Sequence, residues 1–355
     1  MKRHAVSHAA VAGIVIFAVA AVWSGADSAN AQSRPVSFAA IGDTAYTKKG
    51  EAEFDRMIAA MNADKSLAFV VHVGDFEADP RPYARNPTKI SMPCTDESFL
   101  RVLASFQRSA HPFVLTPGDN DWADCHLLKA KKVDPLERLA KVRTMFFPEG
   151  RSLGGATMAV ESQAKDPGFG KFRENLTWTR DGIVFATLHI VGSNDNAGRT
   201  PEMDAEHAER EAANIAWLKK AFAAAKSASV RGLVLVTQAN VAFESHWTKS
   251  LQSRYVRSVS GTKAPKEVKP TGYDMFVGAL AAEMENFGKP TLFVHGDTHL
   301  FRISKPLLSR KTKRYFQNFT RVEVFGDPDS HWVRVTIDPA KPGLFTAEPM
   351  IVGGN

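Results

Sequence analysis

The chain is predicted to fold as an α/β protein: a four-layer α/β/β/α sandwich of two mixed sheets. Three observations carry that expectation. Strand-like apolar runs alternate with helical periodicities along most of the sequence. Four of the apolar runs end in a glycine–aspartate pair: Gly42-Asp43, Gly74-Asp75, Gly118-Asp119 and Gly296-Asp297. Two further alternating runs near the end, Phe319 to Phe325 and Trp332 to Ile337, read as antiparallel strands closing a second sheet.

Taken in order, Val36 to Ile41 is a buried strand. Ala52 to Met61 follows with helical spacing, and Leu67 to Val73 is the next strand. Asp96 to Phe106 is helical, Pro112 to Thr116 a strand, and Pro135 to Phe147 a helix. This alternation implies parallel strands joined by crossover helices. Ala156 to Val160 and Leu176 to Val191 read as strands, the latter turned at Asp181-Gly182. A long amphipathic helix is expected from about Asp204 to Lys226, with Ile215, Trp217, Leu218 and Phe222 facing the core. Val230 to Thr237 is a strand, Tyr273 to Phe287 a helix, and Thr291 to His295 a strand. Three segments read as inserted loops within one domain over residues 32–355. They lie near residues 79–93, 150–172 and 245–271, and the first and last carry several Lys and Arg residues.

The first residues stand apart. Lys2 and Arg3 precede an apolar stretch, Ala9 to Trp23, and Ala29-Asn30-Ala31 fits a cleavage site, so residues 1–31 read as a signal peptide. The rival reading is an uncleaved anchor, for which the stretch is short. The product is expected to be exported, either periplasmic or secreted, with no stable membrane insertion after cleavage. The 355 residues carry a net charge of +7, a mild basicity that suits an anionic substrate. Clustered Lys and Arg with interleaved aromatics are lacking, which argues against nucleic acid as a partner. The two cysteines, Cys94 and Cys125, are expected to pair in an oxidising compartment. That bond would clip the Asp119 loop to the loop after Asp75 and contribute about 3 kcal/mol.

A glycine at the end of a buried strand lets the backbone turn and presents the following aspartate at the carboxyl edge, where ligands collect in open α/β folds. Several carboxylates held there repel one another unless a cation lies between them. In order and placement these motifs resemble those of the calcineurin-like metallophosphoesterases, whose pattern is D-x-H, GD, GNH(D/E), a lone histidine after a strand, and GHxH. The resemblance runs from about Phe38 to Asp338. Glu174 to Asn194 resembles an exported bacterial branch of that family. The resemblance implies the four-layer sandwich and divalent metal ions, one or two, sharing a bridging aspartate. It further implies hydrolysis of a small phosphorylated substrate by a metal-activated water.

Carried over by motif, the metal ligands are Asp43, Asp75 as the bridge, Asp119, Gln238, Asp297 and His299. Four positions depart from the pattern. Ala45 replaces the histidine of D-x-H, Asn120 the histidine beside the leaving group, Gln238 the lone histidine, and Asp297 the first histidine of GHxH. One site would keep Asp43, Asp75 and His299, where Fe or Zn is possible. The other, made of Asp75, Asp119, Asp297 and the side-chain carbonyl of Gln238, is all oxygen and suits Mn, Mg or Ca. Asn120 and Asp121 are the candidate catalytic pair. Asparagine can hydrogen-bond a phosphoryl oxygen but cannot shuttle a proton, and Asp121 would orient the loop.

Weaker candidates are weighed against plain structural roles. His295 and Asn194 could reach the site, but as readily be a core histidine and a turn residue. His72 and His189 lie within apolar runs and read as packed, and Tyr46 is given no metal-binding role. No G-x-S-x-G elbow, H-E-x-x-H zincin motif, P-loop or dinucleotide fingerprint is present. Two readings of different class remain. One is an exported metal-dependent phosphoesterase. The alternative is a non-catalytic relative that binds a phosphorylated or anionic ligand at the same edge.

Overall fold

A computed structural model describes Met1 and residues 34–85, 87–128, 131–247 and 270–355. All of these except Met1 belong to one compact unit. The expected leader (Met1 apart) and most of the third expected loop lie outside the described residues.

Among the described residues the strands form two sheets. The first has five strands in the order β12(Phe345–Met350), β11(Trp332–Ile337), β1(Val36–Ile41), β2(Leu67–His72), β3(Phe113–Leu115). The second has seven: β4(Glu161–Ser162), β5(Leu176–Arg180), β6(Ile183–Thr187), β7(Gly232–Val236), β8(Thr291–His295), β10(Phe319–Glu323), β9(Arg302–Ser304). Strands β1, β2 and β3 run parallel, as do β6, β7, β8 and β10, and the outer pairings are antiparallel.

The sheets pack face to face, and strand alternation shows it. Val234 and Val236 of β7 join the core that holds Phe38 and Phe69, whereas Leu233 and Leu235 pack with Trp217, Leu218 and Phe222. Phe38 stacks on Phe69 at 5.1 Å, and both meet Phe185 of the second sheet edge-on. The outer layers are helices. Lys48–Ala63 is capped by Thr47 and buries Phe54, Met57, Ile58 and Met61, a stripe at helical spacing. Asp96–Gln107 starts on a Thr95/Ser98 capping box, and Pro135–Phe146 on Asp134. Pro201–Ala225 and Asp274–Met284 cover the other side. The result is the expected sandwich of two mixed sheets between helices.

Two expectations are corrected. The two C-terminal runs do not pair with each other: β10 lies parallel to β8, and β11 crosses to the first sheet beside β1. Alternation reports one buried face, not the neighbour or its direction. Residues 156–160 form no continuous strand; the segment is held by isolated bridges, Arg151 to Ala159 and Phe113 to Leu153, and pairing resumes only at β4. The first expected loop contains a short helix, Pro80–Arg85. Cys94 and Cys125 are disulfide-bonded, with Cα atoms 5.8 Å apart. The link ties the start of helix Asp96–Gln107 to the 3₁₀ turn Ala123–Leu127 just past Asp119. No helix among the described residues is long and apolar enough to cross a membrane.

Candidate metal centre

The carboxyl ends of parallel strands from both sheets meet at one edge, and the singled-out residues lie there. Asp43 follows β1, Asp75 follows β2 and Asp119 follows β3; Gln238 follows β7, and Asp297 and His299 follow β8. Asp43, Asp75, Asp297 and His299 all have positive φ, at 50°, 54°, 85° and 62°. Tight turns of this kind carry each side chain back over its own strand end. The glycines permit the crowding: a Cβ on Gly118 would lie 1.9 Å from Oδ1 of Asp75, and one on Gly296 1.9 Å from Oδ2 of Asp43.

Contacts across the two sheets stitch the edge together. The backbone N–H of Asp297 donates to both carboxylate oxygens of Asp43, at 3.0 and 3.1 Å. Oδ1 of Asp75 accepts from the Asn120 N–H at 3.1 Å, and its Oδ2 from the Gln238 amide at 3.0 Å and the Tyr46 hydroxyl at 3.4 Å. His299 engages the Asp327 carbonyl through Nδ1 at 2.6 Å. A carbonyl only accepts, so Nδ1 carries the proton in that bond, and Nε2 lies 3.9 Å from Oδ1 of Asp43. Oδ1 of Asp119 is buried without a partner.

Asp121 is fully buried and accepts four backbone N–H groups, from Asp75, Phe76, Glu77 and Gly118, at 2.7–3.1 Å. Its carboxylate is thereby spent on holding the β2 and β3 loops together. Gln238 departs from its expected role. Its Oε1 accepts the Gly192 N–H at 2.6 Å, so the carbonyl points away from the aspartates and the amide faces Asp75. Flipping the amide would set donor against donor at Gly192, so this orientation is the one the network permits.

His295 is also turned elsewhere. It is fully buried beside Phe293, bonds Gly296 O through Nδ1 and points Nε2 toward Glu323 at 3.8 Å. Asn194 uses its side chain on the Ala197 carbonyl and the Gly272 N–H, tying two loops. His72 packs among Phe54, Phe106 and Phe113. Tyr46, given no metal-binding role from the sequence, donates its hydroxyl to Asp75. Glu323 was passed over in the sequence. It accepts from the Thr298 N–H and hydroxyl and from Arg302, and so holds the turn between Asp297 and His299.

Charge is unbalanced at this edge. Burial, then the Asp297 charge, holds Asp43 well above the usual carboxylate range, and burial with Asp119 does the same to Asp75. Burial and Asp124 push Asp119 to about 6; burial and Asp119 push Asp297 to about 7. Burial also takes Asp121 to about 7, against its four N–H donors. Burial, then Asp75, raises the Tyr46 phenol well above its ordinary value. Such a cluster binds protons or a cation. Among the described residues, however, no three histidine, cysteine or carboxylate side chains converge as a ready-made cation cage.

No protein-family profile matches the sequence, and no curated protein does. Solved structures do resemble it. A structure of PhoD superimposes with a TM-score of 0.52 at 14% identity, covering 90% of this chain and 69% of that one. GAP50, described as the anchor in the inner membrane complex of Plasmodium, gives 0.45 at 10% identity over 91% of this chain and 90% of its own. The 5'-nucleotidase of Candida albicans SC5314 gives 0.42 at 10% identity, over 88% of this chain and 50% of its own. At 14% identity the likeness to PhoD speaks for the fold alone, two mixed sheets between helices.

Proposed function

We propose that the chain is an exported metal-dependent phosphoesterase, periplasmic or secreted, that hydrolyses a small phosphorylated substrate at this edge. The observation carrying the reading is the set of buried aspartates from both sheets with Nε2 of His299 turned toward Asp43. Asp43, Asp75 and His299 are donors of the types that hold a divalent cation, although as they stand they do not converge as a cage, and Oδ1 of Asp119 is left without a partner. The second, oxygen-only set fits less well, because the Gln238 carbonyl is committed to Gly192. A bound divalent cation supplies polarisation of phosphoryl oxygens and a nucleophilic water at neutral pH.

The chain's own residues do the rest. The Asp75 carboxylate is held by Asn120 N–H, Gln238 and Tyr46, and Asp121 locks the loops that carry Asp75 and Asn120. Asn120 orients a phosphoryl oxygen without moving a proton. The reaction therefore favours leaving groups that depart unprotonated, such as aryl oxides. The disulfide fits an oxidising compartment, in agreement with export after cleavage of residues 1–31.

The test is elemental analysis of the purified protein beside Asp75→Asn, with aryl phosphate hydrolysis assayed in the metal found. About one equivalent of metal, lost together with turnover in the variant, supports the reading. The second reading, a non-catalytic binder of a phosphorylated or anionic ligand, is favoured by the lack of a ready-made cage and by the amide in a ligand's place. Phosphate binding that is indifferent to metal and chelator would establish it and overturn the enzyme.

A further inference from the structure

A cavity of about 270 Å³ opens beside the aspartate edge, between helices Lys48–Ala63 and Asp96–Gln107. Its wall toward the edge is Thr44, Ala45 and Tyr46, and the Tyr46 hydroxyl lies 3.4 Å from Asp75. Ala45, which stands where the resembled pattern has an imidazole, contributes to this wall. The lining includes three aromatic rings, Phe54, Phe76 and Phe106. Glu77, 3% exposed, also lines it; Oε2 accepts the Cys94 N–H, while Oε1 is buried with no partner. Ion pairs edge the cavity: Arg101 with Glu51 at 3.4 Å, and Arg108 with Asp55.

These features specify an occupant. An apolar cavity of about 150 Å³ takes benzene, so this volume accepts a substituted ring and is small for a whole drug-sized ligand. Aromatic walls favour a ring by stacking and edge contacts. A buried carboxyl oxygen without a partner calls for a hydrogen-bonding substituent on that ring. Tyr46, shared between cavity and aspartate edge, places the ring next to the reacting group.

We propose that this cavity is the leaving-group subsite, taking an aromatic ring that bears a hydroxyl or similar hydrogen-bonding substituent. The proposal rests on the phosphoesterase reading and names its substrate class: esters of hydroxylated aryl alcohols. The ring enters between the two helices, its substituent meets Glu77, and its ester oxygen lies on the Tyr46 side.

The test has two arms. In the first, resorcinol binding to the purified protein is followed by ligand-observed saturation-transfer NMR without added metal. It is repeated with Val102→Trp and Ser105→Phe, which fill the cavity from helix Asp96–Gln107 away from the aspartates. In the second, KM is compared for phenyl phosphate and methyl phosphate. Saturable resorcinol binding, weakened at least tenfold in whichever variant retains the wild-type circular dichroism and melting cooperativity, is expected. With it, KM for phenyl phosphate rises tenfold while that for methyl phosphate stays within twofold. No resorcinol binding, or equal binding in a folded cavity-filled variant, overturns the subsite. Resorcinol binding lost on filling, with no ester hydrolysed in any metal, keeps the subsite and instead overturns the phosphoesterase reading.

Discussion

The side-chain amide nitrogen of Gln238 lies 3.0 Å from Oδ2 of Asp75, across the gap between the two sheets. An N–H donor thus occupies the side of Asp75 on which the resembled family would place a second cation. Its direction is set 2.6 Å away at the other end of the amide, by the Gly192 N–H. A partial positive charge stands in for a full one, and burial with mutual repulsion raises the carboxyl pKa values around it.

Replacing this donor by a ligand is expected to change metal stoichiometry. Gln238→His should raise the bound divalent metal from about one to about two equivalents, measured by elemental analysis after equilibration with Mn²⁺. A variant that still binds one equivalent would show that the second set is closed for another reason.

Proton delivery gives a separate prediction. General acid catalysis is worth typically 10²–10⁴-fold. Asn120→His should therefore raise kcat for an alkyl phosphate by about 10², and leave an aryl phosphate with a good leaving group nearly unchanged. Equal gains on both substrates, or wild-type turnover of both at one rate, would remove Asn120 from the argument.

Two buried groups, His72 beneath the Asp75 turn and Glu174 behind the edge, contribute to acid stability. Burial lowers the His72 imidazole to about 3. The unfolded chain takes up that proton below about pH 6.5 and the folded one does not, so the His72 contribution to stability falls as pH drops from about 6.5 toward 3. The limiting slope is about 1.4 kcal/mol per pH unit. Glu174 is shifted the other way from what burial alone would do. Arg143 and His189 outweigh desolvation and hold it below the usual carboxylate range. Its stabilisation is complete above its unfolded pKa of about 4.3 and is lost as pH falls through the folded value. Asp119, Asp121 and Asp297, pushed up by burial, gain stability on protonation over the same range and oppose this loss. The His72 contribution is therefore read in urea titrations from pH 7 to 4 as the difference between wild type and His72→Gln, which keeps an acceptor for the Gly74 N–H now bound at 3.1 Å. The variant should gain stability relative to wild type as pH falls below about 6.5; a difference independent of pH would rule out His72 as a source of the loss.

The helices were legible because their periodicity is local: Phe54, Met57, Ile58 and Met61 mark one face without reference to anything distant. The gathering of Asp43, Asp75, Asp119 and Asp297 at one edge was legible for a related reason, since parallel strands end on the same side. What stayed hidden depends on contacts remote in sequence. β12 is half-exposed and contains Pro349, so its alternation is faint and only its pairing with β11 defines it. An amide shows the same two ends in any sequence, and the orientation of Gln238 is decided by Gly192, 46 residues earlier. Nothing local in the sequence marks Arg210 and Asn214 of the long helix as buried. Arg210 is in fact fully buried, bonded to Asp195, Glu206 and the His189 carbonyl, and Asn214 bonds that same carbonyl and Asn175. The segment Glu174-Asn175 thus belongs to the frame that supports the edge from behind.

The missing Cβ atoms at Gly118 and Gly296 bear on how this protein could acquire new preferences. A side chain at either position would meet an aspartate oxygen at 1.9 Å, so substitution there displaces the carboxylate itself. Val102 and Ser105 instead line the neighbouring cavity, where a change of side-chain size stays clear of the aspartate edge. The scaffold is thus unyielding on one bank and adjustable on the other.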